Sequence, residues 1–308
     1  MTATKMTTDC RLLCAATCAY DIADSGSFRP VSPHYPAVGW TSLPTALFAG
    51  PENINACLIG TNRDEGVILA FRGTLPPTNL DVMPQLRDWL QDFMAKPVSK
   101  PGILPPAMTV HEGFWNALDS FWPQIVPALQ RLLESNPQPK LYVTGHSKRG
   151  AMAALAAARP FFRENIHPTA VHLYAAARAG NSTFVSGFPA AVPVMRYEHH
   201  LDIVPFVPPG LHFIDLAARI PLLSDLFKNA TGWDYTPLGT LRYIKEDGSV
   251  IGDDPLLPGI RAEEILTRVV TGRLVEIGRA HGPWCRGPLS DGGYMLGVCP
   301  TSLCAAGD

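Results

Sequence analysis

The stretch LYVTGHSKRGAMAALAAA, residues 141–158, constrains this chain more than any other. An apolar run of strand character ends in a glycine, a serine follows two residues later, and an alanine-rich helical pattern begins at once. A junction of that kind belongs to a layered α/β architecture, with the strand inside a sheet and the helix packed on its face. Gly145-x-Ser147 also opens the pattern G-x-S-x-G, a tight turn that presents a serine hydroxyl at the end of a strand. The closing glycine is missing: Lys148 and Arg149 follow the serine, and glycine returns only at Gly150. Glycines flank such serines because the turn is tight and helix and strand pack closely. An arginine at this place must reach solvent or find a carboxylate, since burying an unpaired charge is costly.

The rest of the chain alternates apolar runs with helical patterns, the order expected of a mainly parallel sheet covered by helices. Strands are expected over residues 56–61 and 67–71, joined through a polar loop at 62–66, and over 141–144, 171–175 and 194–197. Residues 97–106 read as a proline-rich surface connection. Helices are expected over 114–122 and 123–134, the second with Ile125, Val126, Leu129, Leu132 and Leu133 on one face and Pro123 in its first turn. The helix after Ser147 should run through Ala158 and stop at Arg159 and Pro160. A proline-dotted segment over 205–258 contains HFIDLAARIPLLSDLF, a helical pattern broken at Pro221, and an amphipathic helix over 262–277 leads into Gly278–His281. With no repeat and no linker, the chain reads as a single domain over residues 1–308, with an insertion over about 209–260.

Composition narrows the class further. Of 308 residues, 46% are hydrophobic and 17% charged, as in a folded globular chain. A net charge of −2 without a basic run argues against a nucleic-acid partner. No apolar stretch approaches the ~18 residues that span a bilayer. The N-terminal residues suit a helix capped by Thr7, Thr8 or Asp9 better than a signal peptide, so cytoplasmic residence and export with the leader removed both stay open. Cys10, Cys14 and Cys18 recur every fourth residue along one helix face. Their Cβ atoms, ~5–6 Å apart, are too distant for an unstrained bridge among themselves, and they read as buried thiols. Cys285, Cys299 and Cys304 can supply one disulfide of unspecified pairing.

A serine hydroxyl is a weak nucleophile unless a base takes its proton and a carboxylate orients that base. AFRGT, LRDWLQDF, VHEGFWNAL, VTGHSKRGAMAALAA, YAAARAGNSTF and RYEHHLDIVPFVPP occur in that order, and together they resemble the class 3 lipase family. This is the fungal-lipase-like branch of the α/β-hydrolases. The resemblance covers roughly residues 50–210, with GTLRYI and RAHGPW matching more weakly near the end. It implies an α/β-hydrolase fold: a mainly parallel central sheet flanked by helices, with a helical lid-like insertion between the catalytic Asp and His.

By position the resemblance makes Ser147 the nucleophile, Asp202 the triad carboxylate and His281 the general base, in the order Ser…Asp…His of such enzymes. Thr74 matches the oxyanion-hole residue through its backbone N–H and its hydroxyl, and Lys148 would supply the second N–H. The competing readings are Asp202 as a turn cap and His212 as the base, with His146 and His111 structural. The implied activity is a carboxylic-ester hydrolase, esterase or triacylglycerol lipase. It would work through an acyl-enzyme, without metal or cofactor, on short- to medium-chain acyl or glyceryl esters and in transient contact with a lipid interface. Residues 75–86 and 211–227 supply the apolar side chains for a lid and acyl pocket. The alternatives are a feruloyl esterase, or a non-catalytic binding protein whose elbow Arg149 disables. Other catalytic patterns fail: S-x-x-K, G-x-x-x-x-G-K-[ST] and H-E-x-x-H are all absent.

Overall fold

A computed structural model describes residues 6–23, 25–50, 54–73, 83–137, 139–217, 224–225, 227–230 and 232–305, without the side chains of Met83 and His212. Its strands are β1 Thr45–Ala49, β2 Asn55–Asn62, β3 Gly66–Phe71, β4 Pro97–Ser99, β5 Thr109–His111, β6 Leu141–His146, β7 Ala170–Tyr174, β8 Gly180–Asn181, β9 Val194–His199, β10 Tyr235–Thr236, β11 Thr240–Ile244 and β12 Val250–Ile251. The main sheet has the order β1-β2-β3-β6-β7-β9-β11-β12. Its five central strands, β3 to β11, run parallel, and antiparallel hairpins close both edges. The β2–β3 turn is set locally: the Asn62 side-chain oxygen accepts from the N–H groups of Asp64 and Glu65, and Gly66 takes φ 90°. A short second sheet, β10-β8-β5-β4, includes a strand inside the 97–106 connection.

The helices are α1 Thr8–Cys18, α2 Tyr35–Val38, α3 Met83–Gln91, α4 Glu112–Asp119, α5 Trp122–Ser135, α6 Lys148–Arg163, α7 Ser182–Ser186, α8 Leu211–Ala217, α9 Leu257–Val270, α10 Leu274–His281, α11 Gly293–Val298 and α12 Ser302–Ala305. They cover both faces of the sheet, as a buried parallel sheet requires. Strand periodicity divides β3 between the faces. Val67, Leu69 and Phe71 join the core with α4, α5 and α6, while Ile68 and Ala70 join the core with α1 and α11. Thr7 caps α1 by accepting from the Cys10 N–H.

Three sequence expectations need correction. Helix α6 does not stop at Ala158 but continues through Pro160 to Arg163. Tertiary packing holds that last turn: the Arg159 guanidinium lies 5.2 Å from the Trp115 ring and 4.7 Å from the Trp122 ring, and bonds Asp119 at 2.6 Å. The helix expected over 262–277 is two helices, α9 and α10. Gly272, at φ 73°, takes a left-handed conformation that ends the first one. Cys10 is not a free thiol. It bridges to Cys299, while Cys285 bridges to Cys304, leaving Cys14, Cys18 and Cys57 buried and free. The spacing argument on one helix could not see a partner 289 residues away. Within the apolar pattern after Pro209, Phe213 of α8 is buried between Phe206 and Phe227. Residues 218–223 and 226 lie outside the described residues.

Candidate active site

Strand β6 delivers the elbow. Ser147 sits between β6 and α6 at φ 63° and ψ −139°, a left-handed conformation that costs a non-glycine residue free energy. Neighbouring backbone holds it there: its N–H donates to the Tyr174 carbonyl at 3.0 Å, and its own carbonyl accepts from Ala177 N at 3.3 Å. A Cβ on Gly145 would stand 2.4 Å from the Arg149 carbonyl oxygen, and one on Gly150 would stand 2.6 Å from the Ala176 Cβ. The two close approaches of this turn therefore fall at 145 and 150. Position 149 carries a Cβ without penalty, which is why the motif can depart from its pattern there.

Arg149 takes neither route expected of it. It is buried, and among the described residues its guanidinium bonds the Ile54 carbonyl at 2.8 Å, the Asn55 side-chain oxygen at 3.0 Å and the Met152 Sδ at 2.7 Å. Burial first, and then the Arg72 charge, bring its pKa down to about 10, so it remains a cation at neutral pH.

The fold brings Ser147, Asp202 and His281 together from three separate segments. Ser147 Oγ lies 2.8 Å from His281 Nε2, and His281 Nδ1 lies 3.0 and 3.1 Å from the two carboxylate oxygens of Asp202. All three side chains are fully buried. Asp202 occupies the turn after β9, and its Oδ1 also accepts from the Val204 N–H at 2.9 Å. Turn cap and histidine partner are thus one carboxylate, not rival readings. A carboxylate can only accept, so Nδ1 of His281 carries the proton and Nε2 presents its lone pair to the serine hydroxyl. Tyr294 of α11 donates its hydroxyl to Asp202 Oδ2 at 2.8 Å.

A second chain of bonds supports His281 from behind. The His281 carbonyl accepts from His146 Nε2 at 2.9 Å, which leaves His146 Nδ1 as the acceptor for the Tyr20 hydroxyl at 2.7 Å. Burial pushes the His146 pKa well below its ordinary value, so it stays neutral, as its single ring proton requires. Trp89 of α3 lies edge-on to the His281 ring, 5.3 Å between centroids. Lys148 opens α6 and pairs with Asp92 at 2.8 Å.

Other candidates are placed as follows. His111 caps α4 through Nδ1 and donates Nε2 to the Phe93 carbonyl; burial lowers its pKa to about 4. His199 bonds the Ala280 carbonyl. Thr74 lies outside the described residues, as does the side chain of His212. Among the described residues, one cluster gathers three metal-type ligands, Cys10, Cys14 and Cys299, and two of its sulfurs are joined to each other. Sequence reasoning missed Tyr20, Trp89 and Tyr294. Trp89 stands inside the quoted LRDWLQDF block, but nothing in the pattern around Tyr294 marked it.

The family described as "Lipase (class 3)" matches residues 68–212. The "Lipase" of Rhizopus niveus is 30% identical over 161 residues, which is 50% of this chain and 38% of that protein. The "Secreted mono- and diacylglycerol lipase A" of Penicillium cyclopium is 27% identical over 194 residues, 63% of this chain and 52% of that protein. The chain thus spans about half or less of the curated relatives it matches. Among solved structures, the mono- and diacylglycerol lipase of Aspergillus oryzae superposes with a TM-score of 0.61 at 20% identity, covering 82% of this chain and 87% of that one. Rhizomucor miehei triacylglyceride lipase gives 0.56 at 18% identity, covering 81% and 84%. These structures share its mainly parallel sheet flanked by helices. Residues 68–212 match the class 3 lipase family, and the chain has the α/β-hydrolase fold.

Proposed function

We propose that this protein is a single-domain serine ester hydrolase of lipase type. The observation that carries this reading is the continuous line from Asp202 through His281 to Ser147 Oγ, with the histidine in the tautomer a general base needs. Ser147 Oγ attacks the ester carbonyl carbon while His281 Nε2 takes its proton. Asp202 stabilises the imidazolium that results. The tetrahedral oxyanion rests on the backbone N–H groups of Lys148 and Thr74. Collapse breaks the C–O bond, and His281 returns the proton to the departing alcohol. Water then repeats the sequence on the acyl-serine and releases the acid.

The buried serine means that substrate enters only when the cover moves. We read Trp89 of α3, edge-on to the His281 ring, as part of that cover, an apolar side chain that suits an acyl chain drawn from a lipid surface. Two disulfides accord with an oxidising compartment, and the Penicillium relative is named as secreted. We therefore read the protein as exported.

The test is labelling with a fluorescent organophosphonate, then hydrolysis of p-nitrophenyl esters from acetate to palmitate beside methyl ferulate. Ser147→Ala should abolish labelling and His281→Ala should nearly do so. Rates should rise with acyl length until the pocket fills, because each buried methylene contributes about 0.8 kcal/mol. A protein that never labels is the binding protein with a disabled elbow. A strong preference for ferulate would replace the aliphatic acyl pocket with an aromatic one.

A further inference from the structure

The parallel ladder between β3 and β6 ends at the pair Phe71–Gly145. Beyond that pair β3 and β6 part, the first leading into Arg72 and Gly73 and the second into the Ser147 elbow and Lys148. One oxygen joins these two extensions. The Ile54 carbonyl, just before β2, accepts from Arg149 Nη2 at 2.8 Å and from Arg72 Nη2 at 3.1 Å. Arg72 also donates to the Ile22 carbonyl at 2.7 Å, and its backbone N–H bonds the Ala56 carbonyl at 3.0 Å. Arg149 makes a second bond to the Asn55 Oδ1 at 3.0 Å, and that amide is oriented by its own donation to Ser120 Oγ at 3.2 Å.

We propose that Arg149 is a positioning residue for the oxyanion hole: with Arg72 it cross-braces the first turn of α6 to the strand that leads to Thr74, using the Ile54 carbonyl as the shared anchor. The proposal rests on the reading of Ser147 as nucleophile. Two guanidinium groups converging on one neutral oxygen repel each other, and the described partners of Arg149 include no carboxylate to offset its desolvation. Space does not demand an arginine here either, since Gly145 and Gly150 absorb the close contacts of the turn. What the side chain supplies is a fixed separation between two backbone segments whose N–H groups must converge on one oxyanion, where small misplacements are expensive.

The experiment compares Arg149→Met, which keeps length and loses every donor, with Arg149→Lys, which keeps the charge and fewer donors. On a p-nitrophenyl ester that the wild type hydrolyses, Arg149→Met should lower kcat by roughly 10- to 100-fold with KM nearly unchanged. The rate of Ser147 phosphonylation should fall by the same factor, because that reaction also develops charge on an oxygen in the hole. The pH profile should keep its inflection, since His281 and Asp202 are untouched. Arg149→Lys should fall between wild type and Arg149→Met. A folded Arg149→Met protein with a lowered Tm but unchanged kcat and phosphonylation rate would overturn the proposal, as would a rise in KM alone. If Arg149→Met does not fold by circular dichroism, Arg149→Lys decides: kcat lowered at constant KM supports the brace, and wild-type kcat refutes it. A wild-type protein inert to the phosphonate removes the nucleophile reading, and the brace falls with it. Normal labelling with the variant results reversed sinks the brace alone.

Discussion

Replacing Tyr294 by phenylalanine keeps the ring, which packs against His199 and His146, and deletes one oxygen. That oxygen has two bonds. It donates to Asp202 Oδ2 at 2.8 Å and accepts from the His199 N–H at 3.1 Å, in a fully buried position. Burial, and then the Asp202 charge, hold the phenol pKa well above its ordinary value, so it is a donor at every working pH. A hydrogen bond to a charged group contributes about 1.5–3 kcal/mol, and a stranded buried N–H costs about 1–3 kcal/mol. The variant should therefore lose about 3–5 kcal/mol of stability. At roughly 2–4 °C per kcal/mol for a large domain, Tm should fall by about 6–20 °C.

Catalysis should suffer less than stability. Asp202 keeps the Val204 N–H and His281 Nδ1, so the base stays oriented. We expect kcat to drop about 10-fold with KM unchanged, against the ~10⁴-fold loss that follows when such a triad loses its carboxylate charge. A double-mutant cycle with Asp202→Asn isolates the bond. Charge-assisted hydrogen bonds are about twice as strong as neutral ones, so Tyr294→Phe should cost about 1–2 kcal/mol less when Asp202→Asn is already present. Urea unfolding of the four proteins measures this. Equal costs in both backgrounds would show that Tyr294 fills space and does not hold the carboxylate.

Two further outcomes follow from packing and burial. Chain-entropy arguments give about 5–6 kcal/mol for closing the loop of the Cys10–Cys299 bridge and about 3 kcal/mol for that of Cys285–Cys304, from separations of 289 and 19 residues. Cys10→Ser with Cys299→Ser should thus lower Tm more than Cys285→Ser with Cys304→Ser; both cysteines are replaced because the Cys14 sulfur lies within 4.8 Å of each of the first pair. His111 titrates at about 4 when folded and at its ordinary 6.5 when unfolded, so below pH 6.5 the unfolded chain binds the proton first. Stability should fall as pH drops from 6.5 toward 4, by about 3 kcal/mol from this residue. His111→Asn should be less stable at pH 7 yet lose less between pH 7 and 4.5, measured by urea unfolding; a parallel decline would put the effect elsewhere.

The layered fold was legible because buried parallel strands write themselves as apolar runs, and residues 67–71, 171–175 and 194–197 match β3, β7 and β9 to within two residues. Boundaries failed where distant contacts decided them. Nothing local predicts that α6 outlasts Pro160, because the stabilising rings of Trp115 and Trp122 come from other helices. The same holds at the site. The family resemblance implied Ser147, Asp202 and His281 by position, each in a quoted block of sequence. Tyr294 and Tyr20 each contribute one hydroxyl from segments with no pattern of their own, and a single hydroxyl leaves no periodicity to read.

Arg149 failed for a different reason. Sequence reasoning gave its charge two outlets, water or a carboxylate, and overlooked neutral acceptors left over by the sheet. The β1–β2 ladder ends at the pair Ala49–Asn55, so the carbonyl of Ile54 stands one residue beyond it and belongs to no ladder pair. A carbonyl in that position is left to find a donor outside the ladder, and guanidinium groups, with several N–H donors held in one plane, can meet such an oxygen from two directions. The same arrangement turns an apparent defect of the motif into a consequence of geometry. Glycine is required where backbone approaches backbone or side chain within contact distance, and those places are Gly145 and Gly150. Between them the chain is free to carry a long donor, and the oxygen that donor meets lies just before β2, the strand whose Ala56 carbonyl also anchors Arg72. A motif written in letters marks position 149 as broken. The distances mark it as the point from which the elbow can be tied to the rest of the site.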